Sequence, residues 1–108
     1  MVKYDDGLDN VATAMAHSGR RQIVDRLHSG AATTSDLAML LDVGLPATMK
    51  QLTVLINAGV VRRTKDGRTV RHVLDASPLI DYSTWLAARH TFWHGQLAAL
   101  DTAVALRD

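Results

Sequence analysis

Residues 44–61, GLPATMKQLTVLINAGVV, constrain the fold more than any other part of the chain. They predict a helix with a start signal, one apolar face and a stop signal. Pro46 fits the first turn of a helix, where its missing N–H is not needed, and Gly59 fits a left-handed cap at the end. Side chains at helical spacing between them predict one inward face. That face consists of Leu45, Thr48, Leu52, Leu55 and Ile56.

The opposite face of this helix is polar and contains no acidic residue. It carries Pro46, Lys50, Thr53 and Asn57, with Met49 at the edge. A helix with such an outer face can lie in the major groove of DNA. An ordinary amphipathic surface helix fits this stretch equally well, so the neighbouring segments must decide between the two interpretations.

Apolar residues at helical spacing predict two helices near the start of the chain. The apolar residues of the first are Leu8, Val11, Ala12, Met15 and Ala16. Ser18 or Gly19 separates the two helices, and the second ends near Ser29 and Gly30. The second helix is expected to turn its apolar residues inward, namely Ile23, Val24 and Leu27. It is expected to turn its basic residues outward, namely Arg20, Arg21 and Arg26.

A third short helix leads directly into the central one. Thr34 or Ser35 can cap its start, and Asp36 suits its first turn. Its apolar residues are Leu37, Ala38, Leu40 and Leu41. Asp42, Val43 and Gly44 then form a three-residue turn. Two short helices joined by so tight a turn predict a helix-turn-helix over about residues 34–58.

Residues 60–75 predict a basic β-hairpin immediately after the helix-turn-helix. Asp66-Gly67 is a strong hairpin turn signal, and Val61 and Arg63 on one side and Val70, His72 and Leu74 on the other alternate as strands do. The net charge is only +1, but five of the twelve basic residues lie in this hairpin. They are Arg62, Arg63, Lys65, Arg68 and Arg71. Such a hairpin is usually just solvated, but in this position it predicts a wing that contacts the DNA backbone.

Ser77-Pro78 opens a last helix over about residues 78–106. Its apolar residues are Leu79, Tyr82, Leu86, Phe92, Trp93, Leu97, Leu100 and Val104, and Trp85 adds a further aromatic ring. At 1.5 Å per residue, a helix of about 28 residues is longer than so small a domain can cover. It could fold back on its own core, but a homodimer in which two such helices cover each other is favoured. The predicted dimer interface consists of Leu8, Val11, Met15, Tyr82, Trp85, Leu86, Phe92, Trp93, Leu97 and Leu100.

Length and composition limit the class of protein. We expect residues 1–108 to form a single domain with one real core. No apolar run approaches the ~20 residues that a membrane span needs, and the first ten residues are too acidic and polar for a signal peptide. The absence of cysteine excludes disulfides and thiolate metal sites. We therefore expect a cytoplasmic protein without a membrane partner.

The order of these elements resembles the ArsR-type winged helix-turn-helix repressors over residues ~12 to ~100. MAHSGRRQIV at residues 15–24 resembles the family's opening Leu-Ala-Asp-Pro-Thr-Arg-Arg-x-Ile-Leu, with the Arg pair and the Ile kept. Residues 46–55 resemble its recognition helix, and residues 58–61 its Ala-Gly-Leu-Val exit. Shorter matches are Leu37-Ala38, Gly67-Arg68 and Leu74-Asp75. Trp85-Leu86 and Phe92-Trp93 resemble the aromatic last helix of a metal-independent branch.

The resemblance implies a mainly α fold with a small hairpin, dimerising through its N- and C-terminal helices. It implies a sequence-specific transcriptional regulator, a homodimeric repressor that binds a palindromic operator in double-stranded DNA. The DNA-binding candidates are Pro46, Met49, Lys50, Gln51, Thr53, Arg62, Arg63, Lys65, Arg68 and Arg71. Two of them depart from the family. Met49 replaces a frequent Ser and cannot donate a hydrogen bond, and Lys50 replaces a frequent His, so the base sequence read is left open.

The resemblance also predicts that this chain holds no metal and no other cofactor. The family's metal-ligand positions fall on Thr33, Ser35, Ala76, Pro78, Arg89 and Phe92, none of them a good ligand for zinc. A competing pair is His90 and His94, which share a helix face, with Asp101 about two turns further on. The inducing signal is then expected to be a small molecule, another protein or the regulator's own concentration.

The sequence disfavours two other classes of function. A winged-helix module that binds protein and not DNA would be expected to have an acidic or apolar outer face on the central helix, which this sequence lacks. An enzyme is disfavoured because the sequence contains no nucleophile elbow, phosphate loop or metal signature.

Overall fold

The computed structural model describes residues 6–105, apart from the side chains of residues 6, 90, 91 and 102–105. Within that range the chain forms helices α1 to α5 and a two-stranded antiparallel hairpin, β1-β2. Their bounds are α1 Asp6–Met15, α2 Ser18–Leu27, α3 Thr34–Leu41, α4 Leu45–Asn57, β1 Val61–Asp66, β2 Thr69–Leu74 and α5 Ser77–Ala105. The predicted mainly α fold with a small hairpin is confirmed.

Helix α4 begins and ends as its sequence predicts. Gly44 is its N-cap, with extended backbone at φ −70° and ψ 165°, and Pro46 lies in the first turn. Gly59 follows the helix at φ +76°. A positive φ is cheap only for a residue without a side chain, so Gly59 can reverse the chain into β1.

The inward face of α4 is confirmed at three positions and wrong at one. Thr48, Leu52 and Leu55 are fully buried, and Ile56 is half-buried. Leu45 is 51% exposed, because it is the first residue of α4 and precedes the part of the helix that crosses the core.

Arg20 was expected to face outward, and that prediction is wrong. Its side chain is only 6% exposed. It lies where the start of α2 meets the end of α1, and its guanidinium donates hydrogen bonds to both α1 and α4. Those acceptors replace the water that an arginine side chain normally keeps.

Two helix starts differ from the sequence prediction. Helix α3 is capped by Thr33, one residue earlier than expected, in a capping box: the Asp36 N–H donates to Thr33 Oγ1 and the Thr33 N–H donates to the Asp36 carboxylate. The break between α1 and α2 falls at Ala16 and His17, and Gly19 lies inside α2.

The hairpin has the predicted strands, but its turn is shifted by one residue. Asp66 pairs with Thr69, so the two-residue loop is Gly67-Arg68 and not Asp66-Gly67. Gly67 has φ +62°, as the first central residue of a type II′ turn requires. A feature that the sequence did not reveal is a bridge from β2 to Ala32, just before α3.

The described side chains of α5 that pack against the core belong to its first turns. Leu79 and Tyr82 lie against the core, whereas Phe92 and Trp93 are 62% and 65% exposed. The radius of gyration is 18.8 Å, compared with about 13 Å for a compact domain of this length. Most of the described apolar surface of this 29-residue helix is therefore uncovered in a single chain.

Within residues 6–105, no single helix is long and apolar enough to cross a membrane. Helices α3 and α4 together reach the required length and composition, but the break between them bends by 106°.

Candidate nucleic-acid interface

The outer face of α4 presents the predicted polar side chains. Pro46, Lys50, Thr53 and Asn57 are exposed. The Thr53 hydroxyl donates to the Met49 carbonyl oxygen at 2.9 Å, so its one hydrogen is used inside the helix. Lys50 and Asn57 are thus the side chains on this face that offer free donors, and Lys50 is the one that carries a charge.

Met49 is half-buried and faces α3. Its sulfur lies 3.7 Å from the Thr34 hydroxyl oxygen, which lies 3.0 Å from His72 Nε2. Thr34 has one hydroxyl hydrogen, and the two contacts are both satisfied if His72 Nε2–H donates to Thr34 and Thr34 donates to the sulfur. We assign the His72 tautomer on this basis. It leaves His72 Nδ1, which has no partner among the described atoms, as an acceptor rather than a buried N–H.

The buried imidazole of His72 fixes the hairpin against the helix-turn-helix. His72 is 1% exposed, and its backbone exchanges two hydrogen bonds with Ala32, of 2.8 and 3.1 Å. Burial, with a smaller contribution from the nearby Arg63 guanidinium, lowers the pKa of His72 below its ordinary value of 6.5. The ring is therefore neutral at pH 7, as its tautomer requires.

The five basic residues of the hairpin do not share one face. The register pairs Arg63 with His72 and Lys65 with Val70, so Arg63 and Lys65 lie on the face of His72. The pairs adjacent to these along the strands place Arg62 and Arg71 on the other face. Arg68 stands in the turn and is independent of this division.

Arg62 is already engaged at the base of the hairpin. Its Nε lies 3.7 Å from a carboxylate oxygen of Asp75, and the two side chains are 68% and 32% exposed. Hydrogen bonding from Ser77, with a smaller contribution from the Arg62 guanidinium, lowers the pKa of Asp75. An ion pair this exposed is weak, so Arg62 can exchange it for a phosphate.

Gln51 is half-buried and points away from the outer face of α4. Its Oε1 accepts a hydrogen bond of 2.8 Å from Arg20 Nη1. A side chain at Gly19 would begin 3.8 Å from its Nε2. Gln51 therefore lies between α4 and the start of α2.

Comparisons with known proteins agree with this geometry. The chain is 33% identical to an ArsR family transcriptional regulator of known crystal structure, and the two structures superpose with a TM-score of 0.77. The match includes 87% of this chain and 97% of that regulator. The chain belongs to the ArsR family of transcriptional regulators. No family model matches it.

Two more distant relatives of this ArsR-family chain are informative. It is 28% identical over 79 residues to the transcriptional repressor SdpR of Bacillus subtilis (strain 168), which is 73% of this chain and 88% of the relative. A homodimeric winged helix-turn-helix DNA-binding domain from Mycobacterium bovis has the same fold, with a TM-score of 0.64 at 21% identity over 82% of this chain and 84% of that one. Helices α3 and α4 with β1-β2 therefore form a winged helix-turn-helix.

Only part of the predicted metal-ligand candidates lies among the described side chains. Among the described side chains, no three His, Cys, Asp or Glu residues come together as a metal site. The His90 side chain lies outside the described residues, so the pair with His94 is not placed.

Sequence reasoning missed Arg20, Thr34 and His72 as residues that position the interface. The signal for His72 was its strand position, facing the same side as Val70 and Leu74. The signal for Arg20 was its place near the N-terminus of α2, where a positive charge is unfavourable for the helix itself.

Proposed function

We propose that this chain is a homodimeric repressor that binds a palindromic operator. The observation that carries the proposal is the outer face of α4, polar and free of acids, immediately followed by a hairpin with five basic residues. Family membership supports it, as does the name of the related repressor from Bacillus subtilis. Residues 1–108 would then act as one DNA-binding domain, without enzyme activity.

Within this proposal, α4 lies in the major groove and the wing follows the backbone. Lys50 and Thr53 face bases, Pro46 and Met49 border them, and Gln51 sets the fit of the helix from behind. Arg68 contacts phosphate or the minor groove from the tip of the wing. The other four basic residues lie on two faces of the hairpin, and the face that meets the DNA decides which pair contributes. The pair is Arg63 and Lys65 on one face, or Arg62 and Arg71 on the other.

The dimer is proposed to form through α5. Leu86, Trp93, Leu97 and Leu100 follow each other at spacings of seven, four and three, and are 46%, 65%, 59% and 59% exposed. This spacing places them on one side of the helix, as in paired helices, and these four residues are called the α5 stripe. The winged helix-turn-helix domain from Mycobacterium bovis, which has the same fold, is itself homodimeric.

Other predicted interface residues have different positions in a single chain. Phe92 is exposed beside the α5 stripe, whereas Tyr82 and Met15 pack against the core with part of their surface free. Val11 is 3% exposed and offers almost no surface to a partner. The contribution of α1 to the interface would therefore come from Leu8 and Met15.

The proposal is tested by measuring mass and DNA binding together. Sedimentation at micromolar concentration is expected to give twice the mass of one chain. Fluorescence anisotropy with labelled DNA of the chain's own promoter is expected to show binding. Unlabelled promoter DNA should compete with this binding, and unrelated DNA should not. Trp93→Asp should weaken both the dimer and DNA binding, because the DNA-binding domains of two joined subunits are needed to span half-sites about 34–36 Å apart.

Thr84→Asp is the matched control for Trp93→Asp. At about 100° per residue, Thr84 lies about 160° around α5 from Leu86, and it is exposed. The Thr84→Asp substitution adds the same charge to the same helix but outside the α5 stripe. The mass of the dimer and its affinity for the promoter should therefore be unchanged. A wild-type monomer would overturn the dimer, and a dimer that ignores its promoter would favour a protein-binding module.

A further inference from the structure

Arg20 joins the end of α1 to the middle of α4. Its Nε donates to the Ala14 carbonyl oxygen at 2.8 Å and its Nη2 to the Thr13 carbonyl oxygen at 2.6 Å. Its Nη1 donates to Gln51 Oε1 at 2.8 Å. One buried guanidinium thus holds two elements that are far apart in sequence.

The charge of Arg20 is balanced by a helix end. Among the described residues no carboxylate pairs with it, and α2 has no acidic residue in its first turn. Its position near the N-terminus of α2 is unfavourable for a cation. The C-terminal carbonyls of α1 carry a partial negative charge, and α1 has no basic residue of its own there. Arg20 supplies the missing cation across the turn.

The adjacent arginine shows which part of this arrangement is specific. Arg21 Nη1 donates to the Met15 carbonyl oxygen at 2.7 Å, so it also caps α1, but its side chain is exposed. Of the two arginines, Arg20 is the one hydrogen-bonded to α4. The capping of α1 and the link to α4 are therefore separable by mutation.

The link lies between the proposed dimer scaffold and the proposed DNA-reading helix. Helix α1 packs on α5 through the core, where Leu79 and Tyr82 lie beside Val11 and Met15. Gln51 lies behind the exposed face of α4, one residue after Lys50. Rotating α4 about its axis would move Lys50 and Gln51 together, because a helix turns as one body.

We propose that Arg20 is a positioning residue for sequence recognition. By holding Gln51 it fixes the rotation of α4 relative to the α1–α5 unit that joins the two subunits. This inference rests on the proposed DNA-binding function. It assigns Gln51 an indirect role, in which its side-chain oxygen serves Arg20 and not a base.

The test compares two substitutions of Gln51 that differ in whether they keep the acceptor. Gln51→Glu retains an oxygen for Arg20, so operator affinity should stay within about threefold of the wild type. Gln51→Leu removes it and should lower the ratio of operator to unrelated-DNA affinity about tenfold, the lower end of the range for one hydrogen bond to a charged group. Binding to unrelated DNA should be unchanged in both, because the wing still contacts phosphates.

A double-mutant cycle shows whether the two residues act as one unit. Arg20→Met should lower the same specificity ratio about tenfold, and Arg20→Met combined with Gln51→Leu should lower it no further. Arg21→Met is the control, and it should reduce thermal stability while leaving the ratio unchanged. All affinities are measured on variants with wild-type circular dichroism and mass, well below their melting temperatures.

Several outcomes would overturn the inference. One is a loss of the specificity ratio in Gln51→Glu as large as in Gln51→Leu, which would place the amide of Gln51 on the DNA. Another is a double mutant whose loss is the sum of the two single losses. The third is an unchanged ratio in Arg20→Met. If Arg20→Met does not fold, the two Gln51 variants decide alone, since both keep Arg20. A wild-type protein with no preference for its operator would instead overturn the proposed function, and this inference with it.

Discussion

The Nε2 atom of His72, in the middle of β2, lies 3.0 Å from the hydroxyl oxygen of Thr34, the first residue of α3. The same hydroxyl approaches the Met49 sulfur on α4. Together with the backbone bridge between His72 and Ala32, this contact fixes the wing to both helices of the helix-turn-helix. The orientation of the wing therefore depends on a neutral imidazole.

The first prediction is a pH dependence of stability that originates in His72. Its folded pKa lies below the ordinary 6.5, so between these two values the unfolded chain binds more protons than the folded one. Stability should therefore be independent of this group above about pH 6.5 and should fall as the pH drops below it, by at most about 1.4 kcal/mol per pH unit for one proton. Urea unfolding between pH 7.5 and 5 at fixed protein concentration measures it.

His72→Gln isolates this residue from the other titrating groups. The glutamine amide can still donate to Thr34 Oγ1 but takes up no proton in this range. The variant should lose stability less steeply than the wild type on acidification. Equal slopes for the two proteins would show that the His72 pKa is not lowered.

The parts of the fold that sequence predicts correctly are those set by local signals. The cap at Gly44, the apolar spacing of Leu52 and Leu55, and the left-handed Gly59 all act within a few residues, and each is found in α4 or directly beside it. The hairpin strands follow from alternation in the same way. Periodicity is a property of neighbours along the chain, so it survives without knowledge of the tertiary structure.

The parts that sequence does not predict depend on contacts between distant residues. Arg20 appeared to be one of three outward arginines, because the carbonyls that bury it belong to α1 and its third acceptor is 31 residues away. His72 and Thr34 are 38 residues apart. Nothing in the spacing of either pair indicates a partner, and only the packing of α1, α3 and α4 around them creates the sites.

The second prediction concerns Arg68 at the wing tip. If it contacts a phosphate, Arg68→Ala should weaken all DNA sequences alike. It should also reduce the slope of log affinity against log salt by about one unit per subunit. Arg68→Lys keeps the charge and should keep the slope. Affinity and slope unchanged in Arg68→Ala at every ionic strength would place the wing away from the DNA.

The third prediction concerns Lys50, the charged donor on the outer face of α4. Lys50→Ala should change the ranking of operator variants, by about 1–3 kcal/mol at the base pair it contacts. The measurement is a competition assay against a set of operators that each carry one substitution. A uniform loss across the whole set would mean that Lys50 contacts a phosphate and does not read a base.

The last prediction compares alanine substitutions at two glycines, Gly59 and Gly19. Gly59 has φ +76°, where an alanine is strained, and its added Cβ would lie 3.5 Å from Pro78 Cγ, an ordinary contact. Gly59→Ala should therefore destabilise the fold by about 1–2 kcal/mol through the backbone alone. Gly19 lies inside α2, and a Cβ there would be 3.8 Å from Gln51 Nε2 and 4.0 Å from Leu41 Cδ2. Gly19→Ala should stabilise by about 0.4–1 kcal/mol, because it restricts the unfolded chain without a clash. Thermal melts at one protein concentration should shift in opposite directions for the two variants. A lower melting temperature for Gly19→Ala would show that the junction of α2 with Gln51 is packed more tightly than these distances indicate.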